Sequence, residues 1–124
     1  MTGWTAAQLD LLEGADEVGI SSRRPDGSLR PFITIWAVRS GDGVFVRSAY
    51  GPENGWFRRA LASGEGRIRA PGMERDVAFE EPGPDVDEAL NRAYHTKYDR
   101  HGARYVATVV SAEAARCTLR LVPR

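Results

Sequence analysis

The sequence predicts an α+β protein in which antiparallel strands form a closed or partly closed barrel, flanked by about three helices. Two observations lead to this fold class. Short segments with strand patterns follow one another across tight turns, as in a meander, while helix patterns stand singly between them. The regular alternation of strand and helix that builds a doubly wound sheet does not occur. The chain has 124 residues, the size of a single domain, which we assign to residues 1–124.

The first elements read as a helix and a hairpin. Thr5 and Gln8 have the spacing of a capping box and predict the start of a short helix. The segment DEVGISSRR alternates around Val18 and predicts the first strand. Pro25-Asp26-Gly27 is a turn sequence whose glycine can adopt positive φ, so a hairpin should follow.

A central buried strand is expected next. PFITIWAV, residues 31–38, contains β-branched and aromatic residues and is apolar on both faces, which is typical of a strand covered from two sides. Gly41-Asp42-Gly43 then turns into VFVRSAY, a strand that ends near Arg47 and Ser48. The second helix should begin near Asn54 or Gly55.

The rest of that helix should turn Phe57, Ala60 and Leu61 inward and end at Gly64. GRIRA and MERDVAFEE, joined by Pro71-Gly72, predict a second hairpin with a type II turn.

The last part of the chain predicts a helix and a closing strand. Asp85, with Glu88 three residues later, marks the start of a helix through ALNRAYHTKY. The segment RYVATVVSAEAAR fits either a strand or a helix. CTLRLV alternates and predicts the closing strand.

Composition narrows the function classes. Lys and Arg together number 17, as do Asp and Glu, so no overall charge attracts nucleic acid or an anionic membrane. Lys97 is the only lysine; the many arginines suit forked contacts to phosphate or carboxylate, or reflect an arginine-rich coding bias. The chain shows neither a signal peptide nor a membrane-length apolar run, and its single cysteine, Cys117, fits a reducing compartment. We therefore expect a cytoplasmic protein.

Several catalytic chemistries find no support. His95 and His101 stand six residues apart and do not form a zinc spacing with Cys117, so no metal site is expected. Cys117 reads as a buried, inert thiol. Glycine-rich nucleotide loops and the hydrolase Gly-x-Ser-x-Gly sequence do not occur.

Four segments carry a family resemblance: SSRRPDGSLRPFITIW, VFVRSAYGPENGWFRRAL, GRIRA and TLRLVPR. With these residues the chain resembles an uncharacterised bacterial domain-of-unknown-function family, number 2255. It also resembles the split β-barrel superfamily that binds flavin or deazaflavin, including deazaflavin-dependent nitroreductases and pyridoxamine phosphate oxidases. The resemblance extends over nearly the whole chain and implies a homodimer with the cofactor in a groove at the subunit interface.

The resemblance also implies a set of cofactor-binding residues. Arg23, Arg24 and Arg30 would face the phosphate of FMN or of the deazaflavin coenzyme F-420. The remaining members would line the groove or stand beside its ring end; they are Trp36, Arg47, Ser48 and Trp56. The implied activity is reduction of a small organic molecule by hydride transfer, which needs no catalytic side chain because the cofactor supplies the chemistry.

Other interpretations of these residues remain open. Arg23 and Arg24 can simply keep a hairpin tip soluble, and Trp36 and Trp56 can belong to the core. The related reductases carry a Ser-Gly pair where this chain has Pro25-Asp26-Gly27, and a carboxylate there would repel phosphate. That departure favours a second hypothesis: a cofactor-free ligand-binding protein, or a non-redox enzyme of small-molecule metabolism, that uses the same groove.

Overall fold

The computed structural model describes residues 3–124. It consists of a seven-stranded antiparallel sheet with five α-helices packed around it. The strands are β1 (Val18–Ser22), β2 (Ile33–Ile35), β3 (Ala37–Ser40), β4 (Gly43–Arg47), β5 (Glu65–Ala70), β6 (Met73–Glu80) and β7 (Thr118–Pro123). The helices are α1 (Ala6–Gly14), α2 (Gly55–Ser63), α3 (Asp87–Tyr98), α4 (Ala103–Val110) and α5 (Ala112–Ala115). The α+β split barrel is confirmed, with five α-helices instead of about three because the ambiguous segment forms α4 and α5.

A single residue of the chain connects the two edge strands of the sheet. Its strand order is β2-β1-β5-β6-β7-β4-β3, so β2 and β3 are the two edges. In the chain these edge strands are separated only by Trp36. The prediction of a single central strand over residues 31–38 is therefore wrong. The apolar residues of that segment serve two edge strands, and helices α1 and α3 cover β3.

Three strand pairings join distant parts of the chain. β1 pairs with β5, and β7 lies between β6 and β4. The β1–β5 contact requires a glycine at position 66, because a Cβ there would lie 1.9 Å from the carbonyl oxygen of Ser21. This close approach draws the β1–β2 hairpin towards the start of β5, beside α2.

The core has two parts. One lies inside the barrel and beneath α1 and α2, where Phe57 and Ala60 are buried. The other lies beneath α3 and α4, around Tyr94 and Tyr98. Leu61 is 42% exposed, so its predicted inward position is wrong; the buried face of α2 ends at Ala60.

Most predicted boundaries agree with the structure. Thr5 and Gln8 form both hydrogen bonds of the capping box, and Gly64 ends α2 in the left-handed conformation. The start of α3 differs, because a short 3₁₀ turn over Pro84–Val86 precedes it and no side chain caps it. Within residues 3–124, no helix combines the length and apolar character needed to cross a bilayer.

Candidate functional site

An open cavity of about 1070 Å³ lies between the β1–β2 hairpin and α2. We call it the arginine cavity because five arginines line it. Its lining residues are Arg23, Arg24, Pro25, Gly27, Arg30, Gly55, Arg58, Arg59, Leu61, Ala62, Ser63 and Glu65. Glu65 is its only carboxylate and is paired with Arg124 outside the cavity. The cavity therefore has an excess of positive charge.

Arg30 differs from the other four in having a guanidinium nitrogen that is buried without a partner within residues 3–124. Its Nε is buried and has no hydrogen-bond partner in the described part of the chain, and no carboxylate forms an ion pair with it there. A buried guanidinium donor without a partner is costly unless an anion supplies the missing acceptor. The sequence prediction that Arg30 faces a phosphate is compatible with this geometry.

Arg23 and Arg24 are partly engaged in bracing the turn. Arg23 donates to the Gly27 carbonyl oxygen at 2.8 Å and to Asp76 Oδ1 at 3.2 Å. Arg24 donates to the Leu29 carbonyl oxygen at 3.0 Å. Both nevertheless line the cavity, so the turn holds two guanidinium groups at its rim.

The Asp26 carboxylate is held by hydrogen bonds within its own turn. Its Oδ1 accepts hydrogen bonds from the Ser28 backbone N–H at 2.9 Å and from the Ser28 hydroxyl at 2.6 Å. These bonds lower the pKa of Asp26 below its usual value. The carboxylate is folded back on its own turn and is not among the cavity-lining residues, although Pro25 and Gly27 on either side of it are.

Arg58 and Arg59 complete the opposite wall and were missed from the sequence. They lie in α2, on its exposed face, away from Phe57 and Ala60. Gly55 makes room for Arg59, since a Cβ at position 55 would approach the Arg59 Nη1 atom to 2.9 Å. The sequence signal for them is an arginine pair shortly after a predicted helix start.

Two further cavities lie next to the arginine cavity in a series, each sharing lining residues with the one before it. The narrow cavity, about 180 Å³, is lined by Ile20, Ser21, Ser22, Arg30, Pro31, Ile33, Trp56 and Arg59. The aromatic cavity, about 310 Å³, is lined by Glu17, Ile33, Thr34, Ile35, Trp36, Arg47, Ala49, Tyr50, Asn54, Trp56, Tyr105, Thr108 and Val109. Arg30 and Arg59 border the first two cavities, and Ile33 and Trp56 border the last two. Neighbouring cavities therefore share walls, and we call the three together the groove, with a charged end at the arginine cavity and an aromatic end at the aromatic cavity.

Trp36 both lines the aromatic cavity and packs against the core. Its ring stacks on Tyr98 with a centroid distance of 4.1 Å and an interplanar angle of 4°. The Tyr98 hydroxyl accepts from the Ala37 N–H and donates to the Asp16 carbonyl oxygen at 2.9 Å. Tyr98 therefore fixes the orientation of the tryptophan that joins the two edges of the barrel.

Arg47 borders the aromatic cavity, but its side chain has no exposed surface. Its Nε donates to Thr118 Oγ1 at 3.0 Å, and its Nη1 donates to Asn91 Oδ1 at 2.6 Å and to the Val109 carbonyl oxygen at 2.9 Å. Its Nη2 lies 3.7 Å from Asp87 Oδ1. Burial lowers the pKa of Arg47 from its usual value, yet a guanidinium stays charged at neutral pH. Arg47 thus joins β4, α3, α4 and β7.

Ser48 and the histidines are held by internal hydrogen bonds. The Ser48 hydroxyl is buried and donates to the Gly51 carbonyl oxygen at 2.7 Å. His95 lies 2.7 Å from Asp99, and His101 lies 2.8 Å from Asp16. Across residues 3–124, no three His, Cys, Asp or Glu side chains are grouped to hold a metal ion.

Comparison with known proteins assigns the family. Residues 8–121 match the family described as "Uncharacterized protein conserved in bacteria (DUF2255)". The chain belongs to this family. Among curated proteins, none matches it.

Solved structures share the fold of this DUF2255 chain. An F420 reductase is 18% identical, with a TM-score of 0.56, and the match covers 93% of this chain and 90% of that one. An FAD-binding protein from Mesorhizobium loti is 15% identical, with a TM-score of 0.51 and coverages of 98% and 91%. The heme storage protein HutZ from Vibrio cholerae is 10% identical, with a TM-score of 0.62 and coverages of 93% and 86%. At these identities the likeness concerns the fold alone, and the cofactors in the names of the three proteins differ from one another.

Proposed function

We propose that the protein binds a phosphorylated flavin-type cofactor in the groove and transfers hydride between it and a small organic molecule. The observation that carries the proposal is the Arg30 guanidinium, which lines both the arginine and the narrow cavity and whose buried Nε has no partner among residues 3–124. The names of two proteins with the same fold, an F420 reductase and an FAD-binding protein, agree with this cofactor class.

The residues present fit such a cofactor at both ends of the groove. A phosphate at the charged end would accept charge-assisted hydrogen bonds from Arg30 and Arg59, which border both cavities. A planar ring would lie beyond Trp56, against the apolar and aromatic walls of the aromatic cavity. When bound, the cofactor supplies the hydride chemistry, while the chain holds, orients and shields it from water.

The experiment is a titration of the purified protein with FMN and, separately, with the deazaflavin coenzyme F-420, following quenching of ligand fluorescence. We expect saturable binding of one of them, weakened about tenfold or more in Arg30→Ala, because a charge-assisted hydrogen bond is worth about 1.5–3 kcal/mol. Arg104→Ala is the matched control, an exposed arginine on α4 outside the three cavities of the groove. If neither of them binds, and FAD does not bind either, the proposal is refuted and the cofactor-free alternative is favoured.

The homodimer implied by the resemblance is a second part of the proposal. Tyr50 is 80% exposed and Tyr105 is 59% exposed, and both border the aromatic cavity. A second subunit that covered these rings would also exclude water from a bound cofactor ring. Sedimentation velocity of the purified protein tests this; a single species at the mass of one chain, 13.6 kDa, would contradict it.

A further inference from the structure

The arginines of the charged end fall into two sets. Arg30 and Arg59 border both the arginine and narrow cavities and form the inner set. Arg23, Arg24 and Arg58 line the arginine cavity without bordering the narrow one and form the outer set. A phosphate joined to a ring in the aromatic cavity reaches the inner set first. The outer set then lies beyond it, further from the ring.

The outer set contains donors that a single phosphate at the inner set would leave unused. Arg58 makes no side-chain hydrogen bond or ion pair with any residue between 3 and 124. A guanidinium offers five N–H donors in a fixed fork, whereas a phosphate monoester has three free oxygens, which Arg30 and Arg59 can already occupy. The arginine cavity, about 1070 Å³, is also several times larger than the narrow cavity, about 180 Å³.

We propose that the arginine cavity binds a diphosphate, with the first phosphate at the inner set and the second at the outer set. This inference rests on the proposed function and makes its cofactor a dinucleotide such as FAD, whose nucleoside would occupy the rest of the arginine cavity. Arg58 is the residue whose contribution separates the two classes, since it would contact only the second phosphate.

The test compares FMN with FAD, two flavins of the same ring and similar negative charge. Each is titrated against the wild-type full chain and against Arg58→Ala, Arg30→Ala and the control Arg104→Ala, following flavin fluorescence at low and high salt. We expect FAD to bind about tenfold more tightly than FMN. Arg58→Ala should weaken FAD about tenfold and leave FMN within about twofold, whereas Arg30→Ala should weaken both. Thermal unfolding of each variant without ligand checks that the fold persists.

The outcomes separate the two proposals. Equal affinity of the wild type for FMN and FAD, or an equal loss for both in Arg58→Ala, would overturn the diphosphate and leave flavin binding intact. Binding of the deazaflavin coenzyme but of neither flavin would also overturn the diphosphate while the proposed function stands. Failure of all three to bind would refute both.

Discussion

Replacing Arg47 with alanine should destabilise the protein in the absence of any ligand. The change removes a fully buried guanidinium and leaves Asn91, Thr118 and the Val109 carbonyl oxygen without their donor. Breaking a buried ion pair from one side costs about 3–5 kcal/mol. Since the Asp87 carboxylate is 34% exposed and water can replace part of its contact, we expect the lower end, about 3 kcal/mol.

The expected shift in melting temperature follows from the size of the chain. At about 2.1 cal/mol/K per residue, 124 residues give an unfolding entropy of about 0.26 kcal/mol/K. A loss of about 3 kcal/mol then lowers Tm by about 12 °C, measured by circular dichroism on ligand-free protein. Arg92→Ala is the control, because Arg92 is 68% exposed and its pair with Glu88 should matter by less than about 1 kcal/mol. A Tm for Arg47→Ala within about 3 °C of wild type would show that this reasoning is wrong.

Two further predictions concern α3. Burial lowers the pKa of Lys97 to about 8. Because Lys97 is the only lysine of the chain, the single ¹³Cε resonance of lysine-labelled protein follows its titration without assignment. A titration midpoint above about 10 would contradict the lowered pKa. At Lys97 the folded state then binds fewer protons than the unfolded state between about pH 8 and the usual value of 10.5. This group should therefore make the free energy of unfolding rise with pH in the lower part of that window, below the usual pKa values of Cys117, Tyr94 and Tyr98, and the rise should be absent in Lys97→Met. Tyr98→Phe should cost about 1–3 kcal/mol in urea unfolding because it leaves the Ala37 N–H unpaired, whereas Tyr94→Phe, which removes a buried hydroxyl without a partner in residues 3–124, should be neutral; equal losses would refute the distinction.

Local sequence signals predicted the hairpins and helix ends because each depends on a few neighbouring residues. The capping box at Thr5 and the turn glycines at positions 64 and 72 are such signals, and the structure has them where expected. The prediction for the segment around Trp36 was wrong because the apolar pattern of this segment is the same whether it forms one buried strand or two edge strands. Only the pairing of β1 with β5 and of β4 with β7 decides between them, and these contacts join distant residues.

The candidate site shows the same division. That Arg30 faces a phosphate stays a prediction, made because it follows a turn and precedes a strand; within residues 3–124 its buried Nε has no hydrogen-bond partner. Arg58 could not, since its role depends on α2 packing opposite the hairpin. The strand pattern predicted that Arg47 lies at a strand end, but the four elements that converge on it are distant in the chain and could not be predicted. That Arg47 belongs to a cofactor-binding set stays a prediction.

The position of β7 has a consequence for how the sheet assembles. Without residues 118–123, the remaining strands fall into two pieces, β2-β1-β5-β6 and β4-β3, which share no backbone pairing. Each piece then ends in an open edge, β6 in one and β4 in the other, with free N–H and C=O groups along it. A chain interrupted before Thr118 would therefore present two unpaired strand edges to other molecules, and we expect less of it in the soluble fraction.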